Sequence, residues 1–226
     1  MGHKILVLGD SGSGKSTSTM NLDSTSTFYV NCIGKALPFK GWKSKYVDVS
    51  KEAAGNMLVS DKWEKVKNAI LYVSEKRPEI KTIVVDDAQY IMGYEFMERA
   101  KEKGFDKFVE MGKHMFEVLT APDKTREDLI TIFLSHSEDV SGNGYTKTKM
   151  KTIGKMLDDK ITIEGLFTVV LIASSYRDTD KSMKYIFTTQ SDGTTTAKSP
   201  MGMFSEVRIP NDLNEVIKQF NAYNLG

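Results

Sequence analysis

The residue types best suited to chemistry in this chain form one short glycine-rich segment. The pattern of a glycine, four further residues and then Gly-Lys-Ser, typical of a phosphate-binding loop (P-loop), is met by Gly9-Asp10-Ser11-Gly12-Ser13-Gly14-Lys15-Ser16-Thr17. Its glycines allow the backbone to curl so that successive N–H groups face one anion. In such a loop Lys15 reaches the outer phosphates of a nucleoside triphosphate, and the Ser16 hydroxyl binds Mg²⁺. The alternative is a glycine-rich turn that binds nothing.

The elements on either side of this segment are those that a phosphate-binding loop needs. The apolar run Ile5-Leu6-Val7-Leu8 before it predicts a buried strand, and Lys15 to Leu22 predicts a short helix after it. The N-terminus of that helix would add its dipole to the N–H groups that face the phosphates. Strand, loop and helix in this order therefore favour nucleotide binding over the empty turn.

Two adjacent carboxylates follow a second apolar run. Thr82-Ile83-Val84-Val85 predicts a parallel strand buried on both faces, which ends at Asp86 and Asp87. An acid at this point of a P-loop nucleoside triphosphatase holds Mg²⁺, usually through water, so we expect Ser16 and Asp86 to share the ion. Asp87 has two interpretations: it orients the attacking water and accepts its proton, or it caps the helix that begins at Ala88.

A third apolar run, Leu129 to Leu134, ends at Ser135-His136-Ser137. Because ligands of open α/β sheets lie at the carboxyl ends of the strands, we interpret His136 as a sensor of the terminal phosphate; the alternative is a structural histidine. The segment from about Glu138 to Gly154 predicts a polar loop. Lysines in and beside that loop, which either neutralise the phosphates of a nucleic-acid strand or are simply solvated, are Lys147, Lys149, Lys151 and Lys155.

The remaining segments predict an ordinary α/β framework. Further strands are predicted at Thr27 to Cys32 and Leu166 to Ala173, with an irregular region over 34–60 in which Tyr46 to Val49 forms a short strand. Helices are predicted from Asp61 to Pro78, from Ala88 to Lys103, from Asp106 to Leu119 and after Asp212. Asp192-Gly193, between Met183 to Gln190 and Thr194 to Lys198, predicts a hairpin. Together they predict one α/β domain over residues 1–226, with a mostly parallel central sheet, helices on both faces and a C-terminal β-hairpin.

Two positions near the end of the chain have more speculative interpretations. Lys198 is either an exposed lysine at a strand end or a cation that reaches the terminal phosphate held by a neighbouring subunit. Tyr176 or Arg177, just past a predicted strand, could stack on the base of the nucleotide, an idea supported by position alone.

Composition excludes several other classes of protein. The 31 basic and 30 acidic residues leave a net charge of +1, so binding to nucleic acid would have to come from local patches. A single cysteine, Cys32, excludes an internal disulfide and a cysteine-based zinc site. No apolar stretch is long enough to span a membrane, and the first predicted strand leaves no room for a signal peptide. We therefore expect a cytoplasmic protein.

In their order and spacing these motifs resemble the RecA-like core ATPases encoded by bacteriophages, of the P-loop AAA/RecA type. The match is best to the small, core-only relatives of the Sak group of single-strand annealing and recombination proteins. The segments that carry the resemblance are Gly9 to Thr17, Ile83 to Asp87, Ile132 to His136, Thr152 to Lys155, Asp192-Gly193, Ala197-Lys198 and Ile209 to Leu213.

This resemblance implies a RecA-like P-loop NTPase sheet, ATP and Mg²⁺ as cofactors, and a homo-oligomer, ring or filament, with ATP at the subunit interfaces. It also implies binding of single-stranded DNA by the loops after Asp86 and His136, in phage-type recombination, annealing or replication in the host cytoplasm. A single-strand binding protein is a candidate further partner. RecA proteins carry a catalytic glutamate just after the strand next to the P-loop strand, whereas Asn31 to Ala36 contains no acid.

Two other functions remain open on the sequence. The first is a P-loop kinase that acts on a small molecule or a nucleotide, which usually needs an arginine-bearing lid. The arginines of this chain are scattered, at Arg77, Arg99, Arg126, Arg177 and Arg208. The second is a nucleotide-dependent assembly factor that hydrolyses little, because the sequence does not settle the catalytic base.

Overall fold

A computed structural model describes residues 1–50, 54–142, 145–153 and 161–225. Its strands are β1 (His3–Gly9), β2 (Thr27–Asn31), β3 (Met57–Val59), β4 (Thr82–Asp86), β5 (Ile130–Gly142), β6 (Tyr145–Met150), β7 (Val169–Arg177), β8 (Met183–Thr188) and β9 (Arg208–Pro210). Its α-helices are α1 (Trp42–Lys45), α2 (Trp63–Lys76), α3 (Gln89–Glu98), α4 (Asp106–Thr120) and α5 (Leu213–Leu225). Short 3-10 helices lie at Thr17–Thr19, Ala121–Lys124 and Ile163–Leu166.

The central sheet has the strand order β3-β2-β4-β5-β1-β7-β8-β9, and β6 pairs with β5. Pairing is parallel from β3 to β7, and β8 and β9 continue the sheet in antiparallel pairs. The predicted mostly parallel α/β sheet of a P-loop NTPase is thus confirmed. β5 lies between the P-loop strand and the Asp86 strand, and its register places His136 beside Gly9. The ends of β1 and β4 therefore lie at the same edge of the parallel sheet as His136 within β5.

Helices cover both faces of the sheet because successive residues of the central strands point to opposite sides. Leu6 and Leu8 of β1 belong to the core packed under α2, α3 and α4, whereas Ile5 and Val7 belong to the core under α5. All four side chains are fully buried. This two-sided burial explains why β1, β4 and the first half of β5 have continuous apolar runs.

The predicted helix from Lys15 to Leu22 is wrong, since only the 3-10 turn Thr17–Thr19 forms there. Its hydroxyl side chains bond to nearby backbone instead: Ser18 Oγ donates to Lys15 O at 2.5 Å and Thr19 Oγ1 to Ser16 O at 2.8 Å. Serine and threonine compete with helical hydrogen bonding in this way. The expected helix dipole is therefore not available to the P-loop.

The predicted polar loop from Glu138 to Gly154 is wrong over its described residues. β5 continues past the sheet to Gly142 and pairs antiparallel with β6, so that Glu138 faces Lys149 and Val140 faces Lys147. We call this two-stranded extension, residues 137–142 and 145–150, the β5–β6 arm. Its strands alternate polar residues on both sides, which is why no hydrophobic periodicity indicated them.

The C-terminal antiparallel pair exists, but its strands are β7 and β8 rather than the two segments around Asp192-Gly193. Thr195 and Lys198 instead make isolated bridges to Thr148 of β6 and Val170 of β7. The Asp192 side chain accepts hydrogen bonds from the backbone and hydroxyl of Thr194, a local turn that resembles a hairpin signal in sequence.

The other departures are local. Met57–Val59, not Tyr46 to Val49, forms the edge strand, because the Asn56 side chain ties the earlier segment through hydrogen bonds with Val47 N and Lys45 O. Asp61 does not cap α2, whose N-cap is Lys62 without a side-chain cap. Cys32 is free and buried. Among the described helices, none is long and apolar enough to cross a membrane.

Candidate functional site

The P-loop curls at the carboxyl end of β1 through residues that only glycine suits. Gly12 and Gly14 have positive φ angles of 81° and 93°, a region that other residues rarely adopt. At Gly9 there is no room for a side chain, because a Cβ there would lie 2.5 Å from Ala173 O and 2.6 Å from Ser13 Oγ. The β1–β7 packing thus fixes where the loop begins.

Gly9→Ala is expected to destabilise the fold by about 1–3 kcal/mol, because the added methyl group overlaps a backbone carbonyl that cannot move without shifting β7. Urea denaturation measures the loss. Gly93→Ala is the matched control, since a Cβ at this α3 position meets only Tyr90 Cδ1 at 3.7 Å, and alanine favours a helix by up to about 1 kcal/mol. Equal stability of the two variants would contradict the close packing at Gly9.

Lys15 is folded into its own loop. Its Nζ donates to Gly9 O at 2.7 Å and to Asp10 O at 2.8 Å, and the residue is only 5% exposed. Burial lowers the pKa of Lys15, although the carboxylates of Asp87 and Asp86 act in the opposite direction. A buried ammonium held only by carbonyl groups is well placed to bind an anion that enters the loop.

Asp86 is fully buried beneath the P-loop and receives two hydrogen bonds. Ser16 Oγ donates to Oδ1 at 2.9 Å and Tyr29 OH to Oδ2 at 2.8 Å. Burial first, and then the charge of Asp87, raise the pKa of Asp86, while the bond from Tyr29 opposes the rise. Burial also raises the pKa of Tyr29 well above its ordinary value, so its hydroxyl remains a donor.

Ser16 and Asp86 fit a Mg²⁺ ion. Hydroxyl and carboxylate oxygens in direct contact are the hard ligands that this ion prefers, with phosphate oxygens and water completing its shell. Among the described residues there is no group of three or more His, Cys, Asp or Glu that could hold a metal ion. The sequence analysis did not predict Tyr29 as part of this site. A single tyrosine within a predicted strand has no motif around it that would indicate a contact with Asp86.

Asp87 does not cap α3. The N-cap of α3 is Ala88, without a side-chain hydrogen bond, and the Asp87 carboxylate is 2% exposed. Its Oδ2 is paired with Lys35 Nζ, and its Oδ1 lies 3.5 Å from His136 Nε2. The backbone of Asp87 adopts a positive φ of 61°, which is uncommon outside glycine and often marks functional sites. Of the two interpretations, helix capping is wrong.

His136 is held by its backbone at the centre of the site. Gln89 Oε1 accepts from His136 N at 3.1 Å and from Ser135 Oγ at 3.2 Å. Burial and the charge of Lys15 lower the pKa of His136, despite the opposing charge of Asp87. The imidazole is therefore neutral at pH 7. Folding stability that depends on this neutral form is present above pH 6.5 and is lost as the pH falls through the lowered pKa.

These groups surround a cleft of about 350 Å³. Its lining residues are Ser11, Gly12, Gly14, Lys15, Ser16, Thr17, Lys35, Ala36, Pro38, Asp87, His136 and Tyr185. The cleft thus joins the P-loop, the segment after β2, the end of β4 and the middle of β5. A volume of this size is in the range of small-molecule sites.

Two C-terminal residues close the cleft beside Gly14. A Cβ on Gly14 would lie 2.8 Å from Tyr185 Cδ1 and 3.2 Å from Asn211 Oδ1. Asn211 Nδ2 and Ser13 Oγ are buried without a hydrogen-bond partner in the described part of the chain, as expected of groups that wait for a polar ligand. Sequence reasoning missed Tyr185 and Asn211 as site residues.

A family model of the AAA domain, AAA_24, matches residues 1–201. The chain belongs to this AAA domain family. It is therefore a P-loop nucleoside triphosphatase, and AAA ATPases use ATP, usually with Mg²⁺. The matched residues include the P-loop, Asp86, Asp87, His136 and Tyr185, but not Asn211. No curated protein matches the chain.

The lysines of the AAA domain predicted to bind DNA lie on or beside the β5–β6 arm, where the structure describes them. Lys147 and Lys151 are exposed, whereas Lys149 Nζ lies 3.6 Å from Glu138 Oε1 on the opposite strand. Glu138, which lies on β5, therefore offsets part of the positive charge of β6. The sequence of β6 by itself does not show this contact. Lys155 lies outside the described residues.

Tyr176 and Arg177 are not brought into the cleft, and Lys198, predicted to reach the phosphate held by a neighbouring subunit, lies outside the cleft of its own chain. Lys198 bonds through its backbone to Val170, which pairs with Leu6 and so lies level with the middle of β1 rather than with the P-loop. Tyr176 and Arg177 end β7 and do not line the cleft. The β2 strand, expected beside β1, is separated from it by β4 and β5.

Proposed function

We propose that this AAA domain hydrolyses Mg-ATP, oligomerises and binds single-stranded DNA in the cytoplasm, in phage-type recombination, annealing or replication. The observation that carries the proposal is the continuity of β5. One strand contains His136 in the nucleotide cleft and then forms half of the β5–β6 arm. A change at the terminal phosphate therefore has a backbone route into the arm, where β5 pairs with the lysine-bearing strand β6.

The hydrolysis step assigns separate tasks to the residues of the cleft. The P-loop N–H groups and Lys15 bind the phosphates, while Ser16 and Asp86 would hold Mg²⁺, which when bound neutralises charge on the β- and γ-phosphates. The water oxygen forms a bond to the γ-phosphorus as the bond to the β–γ bridging oxygen breaks, and that oxygen leaves with the electron pair on ADP. Asp87 accepts the proton of the water.

His136 is suited to reporting this step because it is neutral and contacts Asp87. A neutral imidazole is able to donate a hydrogen bond to a phosphate oxygen without being fixed in an ion pair. Its carbonyl oxygen accepts from Lys151 N at 2.9 Å, which ties the histidine to the residue that follows β6 at the base of the arm. Loss of the terminal phosphate would thus act on both strands of the β5–β6 arm at its base.

The test is ATP turnover with and without single-stranded DNA, with particle mass followed by light scattering. Stimulated turnover together with a rise in mass is the expected result. Turnover that ignores DNA would refute the coupling, and a rise in mass with ATP but negligible turnover would instead indicate an assembly factor.

The double variant Lys147→Ala, Lys151→Ala is expected to weaken binding of single-stranded DNA and to lower the slope of log affinity against log salt by about 1.4, from about 0.7 per lost charge. Fluorescence anisotropy with a labelled oligonucleotide over a salt series measures both. The matched control is Lys65→Ala, Lys113→Ala, which removes two exposed lysines from α2 and α4. Equal affinities for the two double variants would reassign the arm lysines to a solvated surface.

A further inference from the structure

The segment after β2 contains Lys35, whose backbone is held by a hydrogen bond with the buried side chain of Asn31. Asn31, 2% exposed at the end of β2, donates from Nδ2 to Lys35 O at 2.7 Å and accepts from Gly34 N at 2.9 Å. Gly34 has a positive φ of 68°, a backbone conformation that glycine adopts readily and other residues rarely adopt. These two hydrogen bonds fix the backbone of Lys35 at the wall of the nucleotide cleft.

The two side chains of the Lys35–Asp87 ion pair differ in solvent exposure. The Asp87 side chain is 2% exposed, whereas that of Lys35 is 42% exposed and lines the cleft. Burial acts to lower the pKa of Lys35, but the hydrogen bond from its ammonium to Asp87 and the charges of Asp86 and Asp87 outweigh it and raise the pKa. Lys35 is therefore a charged, solvent-accessible group paired with a buried carboxylate.

The charge of a nucleoside triphosphate gives Lys35 a second partner. Among the described residues that line the cleft, the basic ones are Lys15, Lys35 and His136, and the last is neutral at pH 7. Lys15 serves the phosphates from within the P-loop. A γ-phosphate must lie near Asp87 for Asp87 to reach the attacking water, and Lys35 is the lysine of the cleft that is paired with Asp87.

We propose that Lys35 is a catalytic residue, which transfers its ammonium from Asp87 to the terminal phosphate when a triphosphate binds. There it stabilises the negative charge that spreads over the γ-phosphate oxygens as the bond to the bridging oxygen breaks. Its departure also leaves the Asp87 carboxylate directed at the water. Lys35 thus supplies a cation for the terminal phosphate from within the same chain. This inference rests on the proposed ATP hydrolysis.

The experiment compares Lys35→Ala with the wild-type chain in steady-state ATP turnover and in equilibrium binding of ADP. Removal of one charge-stabilising donor is expected to lower kcat by about 100-fold. ADP lacks the γ-phosphate, so its Kd is expected to stay within about threefold. Lys35→Arg, which keeps the charge, is expected to recover part of kcat. Lys40→Ala, an exposed lysine of the same segment outside the cleft, is the control.

The possible results separate the two claims. A wild-type chain that binds ADP but does not turn over ATP would overturn the proposed hydrolysis. Wild-type turnover with kcat of Lys35→Ala within about twofold would overturn the role of Lys35 alone. So would a higher kcat, which would mean that Lys35 only restrains Asp87. If Lys35→Ala loses ADP binding, Lys35→Gln, which still bonds to Asp87, provides the same kcat comparison.

Discussion

Lys15→Ala is expected to lower ATP turnover by about 100- to 1,000-fold, because the phosphates lose the single cation that the P-loop itself provides. The effect on affinity for ATP should exceed that on affinity for nucleoside, which lacks phosphates. Turnover is measured by phosphate release, and affinity by calorimetry with ATP and adenosine.

The same variant should remain folded. Among the described residues, Lys15 Nζ bonds to Gly9 O and Asp10 O, which belong to the loop itself and not to a distant element of the core, and burial of the ammonium already opposes its charge. Thermal unfolding without nucleotide provides this check. Lys65→Ala on α2 is the control for the loss of a lysine. Turnover within a few fold of wild type would mean that the P-loop does not bind the reacting phosphates.

Asp86→Asn and Asp87→Asn are expected to abolish activity in different ways, although the residues are neighbours. Asp86→Asn replaces a charged oxygen of the proposed Mg²⁺ site by an amide, so turnover should fall by about 100- to 1,000-fold and Mg²⁺ should no longer tighten ATP binding. Asp87→Asn removes the proton acceptor, which typically costs about 100- to 10,000-fold in rate, but should leave Mg-ATP binding unchanged.

Each of these two variants is the control of the other, since both make the same isosteric change at adjacent buried positions. Binding of ATP is measured with and without Mg²⁺, and turnover at saturating Mg-ATP. Full turnover in Asp87→Asn would exclude this residue as the base. Equal gains in ATP affinity from Mg²⁺ in wild type and Asp86→Asn would place the metal elsewhere.

Those parts of the site that depend on contiguous residues were accessible from the sequence. The P-loop spacing, the apolar run of β4 and the acids at its end are local signals, because a strand buried on both faces must be apolar throughout. The register places His136 beside Gly9, at the predicted edge of the sheet, but the prediction that its strand ends there is wrong, because β5 continues to Gly142.

Contacts between distant segments were not accessible. Tyr29, Lys35 and Tyr185 reach the site only because β2, β4 and β8 take particular places in the sheet order. The arm was missed for a different reason: β6 alternates threonine and lysine, so neither face has an apolar pattern. Asp192-Gly193 misled because an Asx turn has the same residues as a hairpin turn.

The packing of α5 determines where the chain can be truncated without exposing its core. The family match ends at residue 201, yet Leu213, Val216 and Phe220 lie in the core under the sheet face that holds Ile5 and Val7. Asn21, just after the P-loop turn, donates to Asp212 Oδ2 at 2.7 Å. A chain truncated at the family boundary would expose this apolar face to solvent and remove Asn211 from behind Gly14. Expression of an isolated domain should therefore retain the chain through Leu225.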